Sequence, residues 1–243
     1  MGSGDGPEEA ELSLLGGFLF SVGGEELLGL SVGSQRLLAF LAISDRVMAR
    51  SEVAGALWSE SSEFHAAANL RSAVSRLKGS ARNAVVVSAS NLSLDEGVIV
   101  DVHRSTALAR RLIDRAGESS EADVGGPAVL ALSDDLLPGW YDDWAVIAAE
   151  DWRQLRVYAL EAVAARLTAS HRFAEAATAA RSAIRAEPLR ESARAALIRV
   201  HLAEGNESVA LGEFQRYRVL LRHELGIEPT ARLTQLLAGL ERS

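Results

Sequence analysis

Hydrophobic and polar positions change their spacing along the chain, and each change predicts a different kind of element. Residues 11–30 carry short apolar runs between pairs of glycines, which indicates a small N-terminal β-sheet. The apolar residues then recur with helical spacing over three stretches, and Ser34 and Ser51 stand where helix N-caps are expected. Residues 84–95 return to short β-type runs that predict a hairpin, and a further run at residues 98–102 closes the unit. Sheet, three helices and hairpin in this order predict an α+β winged-helix domain.

The third predicted helix, roughly residues 64–78, has an apolar and a polar side. Leu70, Val74 and Leu77 recur at i, i+4 and i+7 and form an apolar stripe. The polar side carries cations and small polar groups without an acid, which suits the phosphates and base edges of a DNA major groove. A solvated surface helix has the same pattern, so this stretch alone leaves both interpretations open. The residues that we predict to contact DNA are Arg50, Ser51, Asn69, Arg71, Ser72, Ser75, Arg76, Lys78, Ser90 and Asn91.

The second half of the chain has helical spacing from residue 129 onward. When Ala176 is aligned with Ala210 the offset is 34 residues, which is the period of the tetratricopeptide repeat. A stretch rich in Gly, Ser and acids, residues 117–127, predicts a loop. We therefore predict three segments: a disordered N-terminus (1–10), the winged helix (11–102) and an all-α, tetratricopeptide-like domain (103–243).

The net charge of the 243 residues is −8, which by itself argues against a nucleic-acid ligand, because DNA phosphates are negatively charged. The distribution changes this interpretation: residues 31–94 contain seven cations and four acids. A modest basic patch in an acidic protein predicts weak non-specific DNA binding that is strengthened by dimerisation or by a partner.

Other classes of site have little support in the sequence. There is no cysteine, the five histidines are scattered, and no phosphate-binding loop or nucleophile motif is present. We therefore expect no cofactor, no metal site and no enzymatic activity. No apolar run reaches the roughly 18 residues that a membrane span needs, so we expect a cytoplasmic protein without a membrane partner.

Several motifs resemble the Streptomyces antibiotic regulatory protein (SARP) family. In the first half the resemblance rests on residues 37–41, 51–58 and 69–78, the last of which reads Asn-Leu-Arg-Ser-Ala-Val-Ser-Arg-Leu-Lys. In the second half, residues 137–140, 187–191 and 217–229 are similar to the bacterial transcriptional activation domain of that family. One departure is the hairpin at residues 90–94, which lacks the Gly-Tyr-Arg-Leu wing that is usual in the family.

The resemblance implies an OmpR-type winged helix followed by a bacterial transcriptional activation domain. It implies a transcriptional activator that binds direct repeats in double-stranded promoter DNA as a homodimer and recruits RNA polymerase and its sigma factor. The polymerase contact would lie between the second and third helices, at Ser59, Glu60, Ser61, Ser62, Glu63 and Phe64. The acidic total and the reduced wing support an alternative, which is an interaction protein that works through its helical domain with weakened or no DNA binding.

Overall fold

The structure is a computed structural model that describes residues 9–114 and 124–238. Most of the predicted disordered N-terminus and most of the predicted loop at residues 117–127 lie outside the described residues. The chain divides into two compact units. Unit 1 consists of residues 1–104 and 135–150, and unit 2 consists of residues 105–134 and 151–243. The predicted fold class, a winged helix followed by a helical domain, is confirmed, and the domain boundaries at residues 10 and 102 stay predictions.

Unit 1 contains two small sheets and the three helices of the winged helix. The first sheet has the strand order β3-β2-β1-β7, in which β1 pairs antiparallel with β2 and parallel with β7, and the second has the order β4-β6-β5. The elements are β1 (Ala10–Ser13), β2 (Leu19–Val22), β3 (Glu25–Glu26), α1 (Val32–Ser44), β4 (Met48–Ala49), α2 (Arg50–Leu57), α3 (Glu63–Arg76), α4 (Gly79–Asn83), β5 (Val85–Val87), β6 (Asn91–Leu94) and β7 (Ile99–Val100).

Helix starts in unit 1 differ from the predicted ones. The N-cap of α1 is Ser31, whose hydroxyl accepts from the Ser34 N–H, so the prediction that Ser34 is the N-cap was wrong. The N-cap of α2 is Ala49, so Ser51 lies in the first turn of that helix. Any serine shortly before an apolar run fits the sequence pattern of an N-cap. In both helices the N-cap is instead a residue two or three positions earlier in the chain.

Helix α3 ends earlier than predicted. It begins after its N-cap Ser62 and ends at Arg76, because Leu77 has an extended backbone. Lys78 is also extended, and Gly79 follows it with a positive φ of 52°. Because Leu77 has helical spacing from Leu70, the sequence pattern did not indicate that the helix ends before it.

The side chain of Asp101 joins β1 of the first sheet to the helix that begins directly after β7. Asp101 accepts hydrogen bonds from the backbone N–H groups of Leu14 (2.9 Å) and Leu15 (3.0 Å) at the end of β1. Burial raises the pKa of Asp101, and these hydrogen bonds oppose that rise without cancelling it. Backbone donors at the end of β1 therefore hold the Asp101 carboxyl in place.

The segment of residues 135–150 packs within unit 1. Its backbone joins the sheet where Leu136 forms an isolated bridge with Leu15 and the Leu137 N–H donates to the Leu14 carbonyl at 2.9 Å. Two of its tryptophans pack on rings of the winged helix. Trp140 stacks on Phe18 with 6.1 Å between ring centroids, and Trp144 meets Phe40 edge to face at 5.2 Å. In the same segment Asp142 forms an ion pair with Arg36 of α1.

Unit 2 is built of helices with small residues where they meet. In α8 four alanines, at positions 176, 179, 180 and 183, are fully buried, which lets neighbouring helices approach closely. Its helices include α5 (Asp101–Ile113) and α7 (Asp143–Ala169), each of which begins in unit 1, and α6 (Gly126–Ala131), α8 (Phe173–Ala186), α9 (Glu191–Ala203), α10 (Glu207–Leu225) and α11 (Ala231–Gln235).

One apolar cluster joins the last three helices of unit 2. It contains Ile198, Phe214, Tyr217, Leu221 and Leu233. The Tyr217 hydroxyl donates to the Leu189 carbonyl at 2.9 Å, so the buried phenol has a hydrogen-bond acceptor.

None of the helices that the structure describes combines the length and apolarity needed to span a bilayer.

Candidate nucleic-acid interface

Helix α3 has a buried side that fixes it within unit 1. Ala66, Leu70 and Ala73 are buried along this side, and Leu77 continues it just beyond the helix. The Ser34 hydroxyl of α1 donates to the Ala73 carbonyl at 3.0 Å. This carbonyl belongs to the last turn of α3, where no intrahelical donor is available, because the Leu77 N–H bonds to the Val74 carbonyl instead.

The other side of α3 carries the predicted DNA contacts. Asn69, Arg71, Ser75 and Arg76 are exposed, and Ser72 is half-buried. Asn69, Ser72 and Arg76 are spaced i, i+3 and i+7, and Arg71 and Ser75 are spaced i, i+4 on the adjoining line. The structure therefore brings all five side chains onto the helix surface outside the buried stripe, with Arg71 and Ser75 opposite it and Asn69 at its edge.

The cations at this surface have no side-chain partner among the residues that the structure describes. Within the described part of the chain, the side chains of Arg71, Arg76 and Lys78 form no ion pair and no hydrogen bond. Two other cations of the basic patch are engaged instead. Arg36 pairs with Asp142 and lies 5.9 Å from the Trp58 ring centroid, and Arg46 pairs with Glu52. The positive charge that remains available is thus concentrated on α3 and just after it.

The remaining four predicted DNA contacts lie together at the start of α2 and the tip of the hairpin. The Arg50 N–H donates to the Ser90 carbonyl at 2.8 Å, and Ala49 pairs with Asn91 in the second sheet. Ser51 and Ser90 are exposed, and Arg50 and Asn91 are half-buried. Residues 83–94 of the hairpin carry no cation, so this group offers one guanidinium, from Arg50, beside neutral polar groups.

Four of the predicted polymerase contacts, residues 59–62, lie in the connection between α2 and α3, whereas Glu63 and Phe64 lie in the first turn of α3. Ser59, Glu60, Ser62 and Glu63 are exposed, and Ser61 is half-buried. Ser62 caps α3 by accepting from the His65 N–H, so its hydroxyl has a structural role as well. Phe64 is 75% exposed and lies on the solvent side of α3, spaced i, i+7 and i+11 from Arg71 and Ser75.

Two residues that shape this surface are absent from the predicted contacts. Arg82 of α4 is exposed, and its guanidinium donates to the Val85 carbonyl at 2.8 Å. It is the last of four cations in an acid-free stretch, so the charge count contained a signal for it. Ser34 positions α3 from inside, which no local pattern indicates.

Among the described residues, no group of three or more His, Cys, Asp or Glu side chains is placed to hold a metal ion.

Comparison with known proteins decides the family. Residues 100–240 match the model of the bacterial transcriptional activator domain. The chain belongs to this family. The regulatory protein AfsR of Streptomyces griseus is 29% identical over 238 residues, which cover 90% of this chain and 23% of AfsR. This chain thus spans less than a quarter of the length of that relative. The predicted resemblance to the SARP-type transcriptional regulators is confirmed.

A solved structure with the same fold supports the architecture. The structure of Mycobacterium tuberculosis EmbR in complex with a low affinity phosphopeptide matches this chain with a TM-score of 0.69 and 22% sequence identity. The match covers 97% of this chain and 65% of the EmbR chain. At this level of identity the likeness establishes the fold, a winged helix followed by a helical domain.

Proposed function

We propose that this protein is a sequence-specific DNA-binding transcriptional activator that reads the major groove with α3. The observation that carries the proposal is the exposed side of α3, where Arg71 and Arg76 have no side-chain partner within residues 9–114 and 124–238 and lie beside Asn69, Ser72 and Ser75. The opposite side of the helix is packed in the winged-helix unit, so the polar side is free for a ligand. Membership of the bacterial transcriptional activator domain family, together with the similarity to the regulatory protein AfsR, supports double-stranded promoter DNA as the ligand of this surface.

Each contact has a chemical role in this proposal. Arg71 and Arg76 supply guanidinium forks that match the O6 and N7 acceptors of guanine, and Asn69 matches adenine. Lys78 and Arg50 neutralise phosphates, which supplies most of the salt-dependent affinity. Ser51, Ser90 and Asn91, gathered around Arg50, donate to the sugar-phosphate backbone and fix the register of α3, while Ser72 and Ser75 face the bases.

The family resemblance extends the proposal to assembly on DNA and to the transcription machinery. Two protomers would bind a direct repeat side by side, which compensates for the few cations of a single winged helix. Residues 59–64, which form the connection after α2 and the first turn of α3, would then contact RNA polymerase and its sigma factor. In this proposal the protein acts in the cytoplasm and needs neither a cofactor nor a catalytic step to bind DNA.

An interaction protein that works through unit 2 is the second candidate function. It is favoured by the net charge of −8, by the hairpin without cations and by the engagement of Arg36 and Arg46 inside the protein. Under this alternative, α3 is a solvated surface helix, and replacing its cations changes neither DNA binding nor gene regulation.

Selection of binding sites from a random duplex pool, followed by footprinting, separates the two candidates. The activator predicts an enriched sequence with two protected half-sites in the same orientation, and Arg71→Ala and Arg76→Ala each relax the preference at one position of the half-site. Arg181→Ala is the matched control, since Arg181 is an exposed arginine of unit 2 that has no side-chain partner in the described part of the chain. An unenriched pool would favour the interaction protein.

Transcription from a promoter that carries the selected site tests the polymerase contact. Phe64→Ala should retain DNA affinity to within about twofold and reduce run-off transcription by purified RNA polymerase. Because Phe64 lies on the same side of α3 as Arg71, a loss of DNA affinity in this variant would assign its ring to the DNA surface instead.

A further inference from the structure

A cavity of about 740 Å³, open to solvent on one side, lies within unit 2 and is lined by residues of α5, α7 and α9 and of the segment that contains α11. Its surface includes four alanines, at positions 162, 165, 195 and 196, and the apolar side chains of Leu112, Leu233 and Leu236. Short alanine side chains leave the space open, and the leucines make it apolar. A volume in the range of about 300–1,000 Å³, with apolar walls and a few polar groups, is that of a site for a small molecule.

The acids of this cavity are already occupied by partners in unit 2. Glu161 accepts from the Ser192 hydroxyl at 2.7 Å and pairs with Arg190 at 3.2 Å. Glu191 accepts from the backbone N–H of Thr230 at 2.9 Å and from the Thr230 hydroxyl, which ties the start of α9 to the chain just before α11. Both carboxylates are therefore engaged within the protein.

Two arginines of the cavity, unlike these acids, have no side-chain partner among the described residues. Arg199 on α9 and Arg232 on α11 line the cavity and are exposed, and within the described residues their side chains form no ion pair and no hydrogen bond. A third cation, Arg166, donates to the Asp114 carbonyl at 3.3 Å. Guanidinium forks match carboxylate and phosphate groups, with which they form paired, charge-assisted hydrogen bonds.

An aromatic side chain completes the wall. Tyr158 of α7 lines the cavity, and the Arg190 guanidinium lies 4.1 Å from its ring centroid. Arg190 is itself held by Glu161 and by Ser192, at 2.9 Å from the Ser192 hydroxyl. The ring is thus fixed from one direction, which preorganises an apolar surface beside the two free cations.

We infer that this cavity is a binding site for a small amphipathic anion, with an apolar body over the alanines and a carboxylate or phosphate head on Arg199 and Arg232. This inference is independent of the proposed DNA contacts, because every residue it uses lies in unit 2. It gives the protein a site through which a small molecule can regulate it.

Fluorescence of 8-anilinonaphthalene-1-sulfonate, an aromatic body with one anionic group, tests the site on the full chain. We expect one saturable site per chain, and the double variant Arg199→Ala/Arg232→Ala should weaken probe affinity about tenfold or more. The matched control Arg181→Ala should stay within about twofold of wild type. Ala165→Trp, at an exposed position of the lining, should abolish binding by filling the space.

Competition identifies the head group. Octanoate and octyl phosphate should displace the probe, and the more effective of the two assigns the preferred anion, whereas octyltrimethylammonium, with the same tail and opposite charge, should not displace it. Equal displacement by the cation, equal losses in Arg181→Ala and the double variant, or an absence of saturable binding would overturn the inference. Displacement by an octaglutamate peptide but not by octanoate would replace the small anion with an acidic peptide.

Discussion

Replacing Ser34 with Ala tests how α3 is held in position. The Ser34 side chain is fully buried, and its hydroxyl donates to the Ala73 carbonyl in the last turn of α3 at 3.0 Å. That carbonyl has no intrahelical donor, because α3 ends three residues later. Alanine leaves it buried and without a donor, and a buried acceptor that loses its partner costs about 1–3 kcal/mol. We expect Ser34→Ala to lower the free energy of unfolding of unit 1 by this amount.

Urea unfolding followed by tryptophan fluorescence suits this measurement. Three of the four tryptophans, Trp58, Trp140 and Trp144, belong to unit 1, so the signal reports mainly on that unit. The matched control is Ser75→Ala, because the Ser75 hydroxyl also donates to a carbonyl of α3, that of Ser72, but from the exposed side. Water replaces this contact, so the control should change the free energy of unfolding by less than about 0.5 kcal/mol.

Two outcomes separate the explanations. A destabilisation by Ser34→Ala that exceeds the control by about 1 kcal/mol or more supports a buried hydrogen bond between α1 and α3. Equal effects of the two substitutions would refute the reasoning, since the buried carbonyl would then have found another donor.

Two further predictions concern an aromatic pair and a buried phenol. A double-mutant cycle with Phe40→Leu and Trp144→Leu should give a coupling energy of about 0.5–1.5 kcal/mol in urea unfolding, because the rings meet edge to face, and additive effects would contradict this. Burial raises the pKa of Tyr217 to about 12, so native stability should fall as pH rises from about 10 towards 12, by at most ~3 kcal/mol, and Tyr217→Phe should lose this pH dependence in urea unfolding across the range.

The sequence predicted those features that depend on local spacing. The stripe of Leu70 and Leu77 and the polar side of α3 follow from the 3.6-residue period, and the glycine pairs and apolar runs marked the small sheets. The order of these elements was enough to predict a winged helix. Element ends were less accurate, because the break after Arg76 depends on the extended backbone of Leu77 rather than on a helix-breaking residue within α3.

Features that depend on tertiary contacts could not be predicted in this way. Nothing in the local pattern of residues 135–150 shows that this segment packs with the winged helix, since its rings find Phe18 and Phe40 only in the fold. The charge count treated all seven cations of residues 31–94 alike. Only the structure distinguishes Arg36 and Arg46, which are paired, from the arginines of α3 that are not. The cavity of unit 2 likewise needs four helices to come together.

The most direct test of the central claim measures fluorescence anisotropy of this protein on its own upstream DNA across a salt series. Wild type should bind saturably with a steep salt dependence, and Lys78→Ala should reduce the slope by about one unit. Arg71→Ala/Arg76→Ala should weaken specific binding by about 1–3 kcal/mol for each lost base contact. An absence of binding at low salt, or a double variant indistinguishable from wild type, would contradict the account and assign the function to unit 2.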